Sequence, residues 1–101
     1  LGPVLATADE IKDVNNLSMW LTVNGKKFQN SNTSNLIFKI PFLIHYLSQF
    51  MTLLPGDIVS TGTPPGVGLG IKPDPVYIKP GDVIELGIEG LGTSKQVAVA
   101  Y

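Results

Sequence analysis

The sequence predicts a mostly β fold with one central helix, and three observations carry that prediction. A run of strand formers ends in Asn24-Gly25, apolar residues switch to helical spacing between Ile40 and Leu54, and two Pro-Gly-Asp turns each lead into a β-branched run. With 11 Gly and 8 Pro among 101 residues, the chain has the material for many turns.

Leu17 to Val23 is rich in β-branched and aromatic residues and runs straight into Asn24-Gly25. Both residues of that pair tolerate the positive φ of a type I′ turn, so Phe28 and Gln29 are expected to return antiparallel. Asn30 to Asn35 reads as a polar loop and helix entry, with Ser34 or Asn35 capping orphan amides. Leu43, Leu47, Phe50 and Leu54 then recur at helical spacing, with Ile40, Ile44 and Met51 on an adjoining stripe. Pro41 suits the first turn, where its missing N–H has no helical partner to lose. A stripe this wide predicts a helix buried on more than one side, ended by Pro55-Gly56.

Pro55-Gly56-Asp57-Ile58-Val59 and Pro80-Gly81-Asp82-Val83-Ile84 rhyme. Pro sets φ at one central turn position and Gly supplies positive φ at the next, so each predicts a tight turn delivering a strand. Two copies fit recurrent turn chemistry better than a repeat architecture. The strand after Asp82 places Ile84, Leu86 and Ile88 on one face and Glu85 and Glu89 on the other. Gly90-Leu91-Gly92 turns, and Gln96 to Tyr101 is the expected last strand.

Composition removes several kinds of chemistry. The chain has seven Lys, no Arg, one His and no Cys, at a formal charge of -1. Without Cys there is no disulfide framework or thiolate metal site. A near-neutral chain without Arg is not a nucleic-acid reader. No apolar run approaches the roughly 20 residues of a membrane span, so no membrane partner is expected. Any Ser-His-Asp arrangement would rest on His45 alone. That residue, mid-helix with no acidic neighbour one turn away, reads as a packed or surface histidine. Asp9, Glu10 and Asp13 read as the acidic start of a helix rather than as metal ligands. Trp20 reads as an anchor of a core or interface.

The segment with the most chemical potential is Thr61-Gly62-Thr63-Pro64-Pro65-Gly66-Val67-Gly68-Leu69-Gly70. Its four glycines expose backbone amides and its threonines carry hydroxyl donors, a set suited to a carboxylate or an enolate. It lacks the Gly-Lys-Ser/Thr of a phosphate loop and the spacing of a dinucleotide fingerprint. A purely structural crossover loop accounts for it equally well on these grounds.

The ordered set of motifs is more specific than any one of them. Leu1-Gly2-Pro3 and Thr7-Ala8-Asp9-Glu10-Ile11 are followed by Leu21-Thr22-Val23-Asn24-Gly25, Gln29 and Asn32-Thr33-Ser34. Pro55-Gly56-Asp57, Thr61-Gly62-Thr63-Pro64-Pro65-Gly66 and Lys79-Pro80-Gly81-Asp82 come next, and Gly87-Ile88-Glu89-Gly90-Leu91-Gly92 closes the series. In this order they resemble the C-terminal part of the fumarylacetoacetate hydrolase catalytic domain, across essentially all of residues 1–101. The look is nearest to bacterial diketo-deoxy-sugar-acid hydrolases, ureidoglycolate-lyase-like proteins and hydroxyheptadienedioate isomerases.

That resemblance implies a share of a mixed β-roll, in a fragment of a larger catalytic domain. It implies a cytoplasmic homodimer acting on small 2-oxo or 2,4-dioxo acids with Mg²⁺, or with Mn²⁺ or Ca²⁺. The leading reaction is C–C hydrolysis of acylpyruvate-like substrates. The alternatives are isomerisation or decarboxylation of oxo-diacids, and a truncated or degenerate paralogue without catalysis. Gly62 and Thr63 carry over as substrate-binding residues, touching the carboxylate or oxo group. The family's Glu-x-Glu and Asp metal ligands, its catalytic Lys and its His-Glu dyad are expected upstream of Leu1, so no metal ligand is assigned in this chain. Glu85 falls near a supporting Glu of the longer fumarylacetoacetases but is not carried over, since bacterial members use a different dyad. A roll divided this way leaves faces such as Ile84/Leu86/Ile88 open, and oligomerisation or contact with the remaining part is expected.

Overall fold

The computed structural model describes residues 2–101; Leu1, which opens the Leu-Gly-Pro motif, lies outside the described residues. Four strands and one α-helix follow in the order β1 (Ser18–Val23), β2 (Lys26–Asn32), α1 (Ile40–Ser48), β3 (Val83–Ile88) and β4 (Gly92–Val97). The strands make one antiparallel sheet in the order β2-β1-β3-β4. The mostly β expectation with a single helix therefore holds.

Local chemistry builds the hairpins. Asn24 (φ 51°) and Gly25 (φ 77°) take the left-handed conformation that the β1–β2 turn needs. The register between these strands slips after Leu21, which faces Gln29, to Thr22, which faces Lys27; Phe28 is left over as a bulge. The two Pro-Gly-Asp turns share one construction. In each the Asp N–H donates to the carbonyl of the residue before Pro, Asp57 to Leu54 and Asp82 to Lys79, both at 3.0 Å. The same Asp carboxylate accepts from the N–H of that residue, at 2.8 Å from Leu54 and 2.7 Å from Lys79.

Asn24 ties the second of these turns to the first hairpin. Its side-chain amide donates to Asp82 at 2.8 Å and its carbonyl oxygen accepts from the Val83 N–H at 2.9 Å. The Asn24 N–H donates in turn to the Val83 carbonyl at 2.8 Å, so β3 enters the sheet beside β1 in a single register. Farther along that pair Trp20 faces Gly87, the one buried residue among those described. A Cβ on Gly87 would stand 2.9 Å from the indole Nε1 and 3.0 Å from Cε2, so the ring occupies the space a side chain would take.

Several expectations need correction. The helix stops at Ser48 rather than running to Leu54, because Gln49 and Phe50 donate to the carbonyls of Tyr46 and Leu47 and close a tighter final turn. Phe50 lies past that end, its ring tilted against that of Tyr46. Phe38, Phe42, Tyr46 and Phe50 form a chain of rings with centroids 5.4, 6.1 and 5.0 Å apart. The helix is not buried on more than one side: of the expected stripe Leu43 and Leu47 are half-buried, whereas Phe50 is 68% exposed and Leu54 62%, and the ring row is open too, with Tyr46 51% exposed. Neither Ser34 nor Asn35 caps the helix: they lie in a 3-10 turn, Thr33–Asn35, which Asn32 caps by accepting from the Ser34 N–H at 2.8 Å, and α1 itself starts after Lys39 without a side-chain cap. Ile58–Ser60 is not a strand; β1 and β3 already have two neighbours each, and the segment runs on into the Thr-Gly-Thr loop. The last strand begins at Gly92 and ends at Val97, because the tight turn bonded from the Leu91 N–H to the Ile88 carbonyl pairs Ile88 directly with Gly92. The faces of β3 fall as expected: Glu85 faces Lys95 across the β3–β4 pair and forms an ion pair with it at 3.0 Å.

Two outcomes follow from the β1–β3 junction. Gly87→Ala should cost about 1–3 kcal/mol by overpacking against Trp20, read as a lower urea midpoint with a shifted Trp20 emission. The Lys79 backbone N–H and the Asn24 amide hold the Asp82 carboxyl below its ordinary value. The folded form then takes up this proton less readily than the unfolded one, so the stabilisation is whole above the ordinary Asp range and fades as pH falls through the lowered folded value. The Asn24 and Lys79 amide resonances should titrate together below about pH 4, and the step should vanish in Asp82→Asn.

Candidate functional site

Strand β2 and the loop that follows Ser60 build the site between them. A Cβ on Gly66 would fall onto the Phe28 carbonyl oxygen, so only glycine lets the loop backbone (φ 107° here) lie directly on the bulged residue of β2. Gly68 has the same relation to the carbonyl of Val76. Two of the four glycines expected to present amides therefore serve close backbone packing instead. Gly62 differs. It takes φ 91°, and the direction of its missing side chain is open.

One step along β2 from the bulge, Gln29 holds the loop by its side chain. Its amide Nε2 donates to Thr63 Oγ1 and to the Pro64 carbonyl, both at 2.9 Å. The loop is thus fixed at two adjacent places, backbone on backbone at Gly66 and side chain to loop at Thr63 and Pro64.

Held in this way, the loop walls a cavity of about 400 Å³. Gly62 and Thr63 line it together with Met19 of β1, Asn32 and Thr33 at the end of β2, and Phe38 and Leu43 around the start of α1. The polar lining consists of hydroxyls and carboxamides, and none of the lining side chains is charged. Such a set orients an anionic oxygen by hydrogen bonds without neutralising it. Thr63 also borders a second cavity of about 220 Å³, where Gln29 and Phe28 stand on the β2 side.

The other residues singled out in the sequence lie elsewhere and are not brought together. His45 is exposed on α1 with its ring Nε2 2.9 Å from Gln49 Nε2, the surface reading. Ala8–Glu10 is a single 3-10 turn in which Glu10 accepts from the Thr7 N–H at 3.2 Å and its hydroxyl at 3.0 Å. Asp13 instead accepts from the Asn15 N–H at 2.9 Å, so these acids share no helix face. Glu89 accepts from the Ser18 N–H at 3.1 Å. Among the described residues no group of three or more His, Asp or Glu side chains is placed to hold a metal ion. The residues present therefore do not fit the divalent ion implied by the resemblance. Among them, too, no helix is long and apolar enough to cross a membrane. Sequence reasoning assigned Gln29 no role at the site. The signal it lacked was a contact spanning 34 residues between a strand and a loop.

Comparison with known proteins gives a consistent result. A family model described as fumarylacetoacetate (FAA) hydrolase, C-terminal, matches residues 1–99. A provisionally named hydrolase of Burkholderia multivorans is 54% identical over 99% of this chain and 36% of its own length. The chain thus spans about a third of the length of the curated relatives it matches. Maleylpyruvate hydrolase from Sphingobium sp. SYK-6, solved in complex with manganese(II) ion and pyruvate, superposes with a TM-score of 0.84 at 42% identity, over 97% of this chain and 34% of that one. The 5-carboxymethyl-2-hydroxymuconate delta-isomerase of Mycobacterium smegmatis does so with a TM-score of 0.80 at 38% identity, over 97% of this chain and 35% of that one.

Gly66→Ala should lift the loop off β2 and break the Gln29 bonds with it. The strained φ alone costs on the order of 1–3 kcal/mol. Amide exchange should accelerate across residues 61–68 while β3 and β4 keep their protection.

Proposed function

The chain belongs to the fumarylacetoacetate hydrolase family, and on that premise we propose that it supplies the substrate-binding wall of an enzyme hydrolysing a C–C bond in small 2-oxo or 2,4-dioxo acids. The observation that carries the reading is the placing of Gly62 and Thr63 side by side in the wall of the 400 Å³ cavity, on a loop held against β2. The pyruvate complex of a 42% identical relative supports the substrate class, because pyruvate is itself a small 2-oxo acid.

In this reading the chain binds and orients; it does not perform the bond cleavage. Thr63 offers its hydroxyl to a carboxylate or oxo oxygen, and the open backbone at Gly62 admits that oxygen close to the loop. Met19, Phe38 and Leu43 belong to the apolar part of the lining, against which the carbon chain of the acid packs and excludes water. A divalent ion is supported for the family by the manganese in the maleylpyruvate hydrolase structure. The described residues supply no set of ligands for one, so no step is assigned to it here. The same reading includes a homodimeric enzyme of the cytoplasm.

Isomerisation of a related oxo-diacid is the second reading, favoured by the 38% identical delta-isomerase. It makes the same use of Thr63 and differs in whether product carbon skeletons are split.

The test uses the complete gene product that carries these residues and a panel of 2,4-dioxo acids, followed by loss of enol absorbance with and without EDTA. Thr63→Val should raise KM roughly tenfold or more, the loss of a hydrogen bond to a charged group, and lower kcat as well, because the acid is no longer held in one orientation. An unchanged KM would refute the assignment of Thr63. Product analysis separates hydrolysis from isomerisation.

A further inference from the structure

We infer that Gln29 is a positioning residue that sets the polarity of the Thr63 hydroxyl, turning it into a donor toward the bound acid. The inference rests on the reading of Thr63 given above and adds to it the residue that makes that reading chemically possible.

A threonine hydroxyl both donates and accepts, so its presence in a cavity wall does not fix which it offers. Here the choice is made from behind. The Pro64 carbonyl has no hydrogen to give, so the end of the Gln29 amide that faces it at 2.9 Å must be the NH₂ group. The same nitrogen stands 2.9 Å from Thr63 Oγ1, and its second hydrogen points there. Thr63 Oγ1 therefore accepts from Gln29, and its own proton is left to donate. The hydrogen bond the structure gives that proton is to the Pro64 carbonyl at 3.5 Å, at the limit of a hydrogen bond, so a carboxylate oxygen at ordinary distance is the stronger acceptor for it. An oxygen that accepts one hydrogen bond is also the better donor of another.

The position of Gln29 fits this task. It lies beside the Phe28 bulge, opposite Leu21 of β1, on a strand whose hydrogen bonds hold its backbone still. It borders the smaller cavity and not the larger one, whereas Thr63 borders both. Gln29 thus reaches a ligand of the larger cavity only through the loop residues it bonds, Thr63 and Pro64, and of these Thr63 carries the hydroxyl. Glutamate at this place has the same shape and the opposite effect: its carboxylate accepts the Thr63 proton and turns the hydroxyl away from the acid.

Pyruvate is the probe, and its Kd is measured by calorimetry on the complete gene product, with far-UV circular dichroism on every variant. Thr63→Val should weaken binding about tenfold or more, matching one hydrogen bond to a charged group. Gln29→Leu and Gln29→Glu should each weaken it by a comparable factor. The double variant Thr63→Val/Gln29→Leu should bind no more weakly than Thr63→Val alone, because the effect of Gln29 passes through the missing hydroxyl. Losses that multiply in the double variant, or an unchanged Kd in both Gln29 variants, overturn the positioning role while leaving Thr63 as a ligand group. If Gln29→Leu fails to fold, the equally shaped Gln29→Glu decides. An unchanged Kd in Thr63→Val, or no pyruvate binding by the unsubstituted protein, overturns the reading of Thr63 and this inference together.

Discussion

The register between β1 and β3 is the constraint on which the rest of the molecule depends. These strands are some sixty positions apart in the chain, as the Asn24 bonds to Asp82 and Val83 show. Closing a loop of that length has a substantial entropic cost before any contact forms. The cost is met at two places. Asn24 engages both the carboxylate and the backbone of the incoming strand, and Trp20 lies over the one position, Gly87, that leaves room for it. Once β3 stands beside β1, β2 becomes an edge strand, and the chain between α1 and β3 is available to lie against it. The Thr-Gly-Thr loop occupies that place.

What the sequence made legible was chemistry settled within a few residues. Asn24-Gly25 names its turn because few residue pairs accept two positive φ values in succession. The rhyming Pro-Gly-Asp turns were readable for the same reason, and they share even the return bond from the Asp carboxylate. Illegible was whatever depends on what lies opposite. Periodicity cannot say whether anything covers a stripe: of the row expected along α1, Leu43 and Leu47 are half-buried while Phe50 and Leu54 stand exposed, and the ring row through Phe42 and Tyr46 was not foreseen. Ile58–Ser60 has the composition of a strand without a strand's neighbours. Conversely, Gly92 to Lys95 lack strand-like composition, yet the turn at Leu91 pairs them with β3.

The candidate site divides along the same line. The Thr-Gly-Thr loop stood out because its density of Gly, Pro and Thr is unusual, and Gly62 and Thr63 do share a cavity wall. The reason for its glycines was misread in part. Gly66 and Gly68 give up their side chains so that backbone can meet backbone at Phe28 and Val76. Such a need leaves no mark within the loop itself. Gln29 was equally hidden, being one polar residue in a strand that also carries Asn30, Ser31 and Asn32. Only the bulge at Phe28 and the contact across 34 residues give it a distinct role.

The character of the cavity bears on how an acid would be held there. None of the seven lysines lines it; its polar groups are neutral hydroxyls and carboxamides. A hydrogen bond from a neutral hydroxyl to a charged group contributes about 1.5–3 kcal/mol net, whereas a cation about 4 Å from a carboxylate contributes near 4 kcal/mol at the effective dielectric of a protein surface. Groups of the first kind give direction and part of the affinity without neutralising the charge. They are selective because a hydroxyl whose lone pair is engaged by Gln29 has one hydrogen left, and that hydrogen points one way. In the proposed enzyme the counter-charge for the acid therefore comes from groups other than those lining this cavity, and the wall built here decides how the acid lies against them. Orientation of that kind acts on the reaction through geometry. It makes the anchoring of the loop on β2, more than the number of donors it carries, the property on which catalysis would depend.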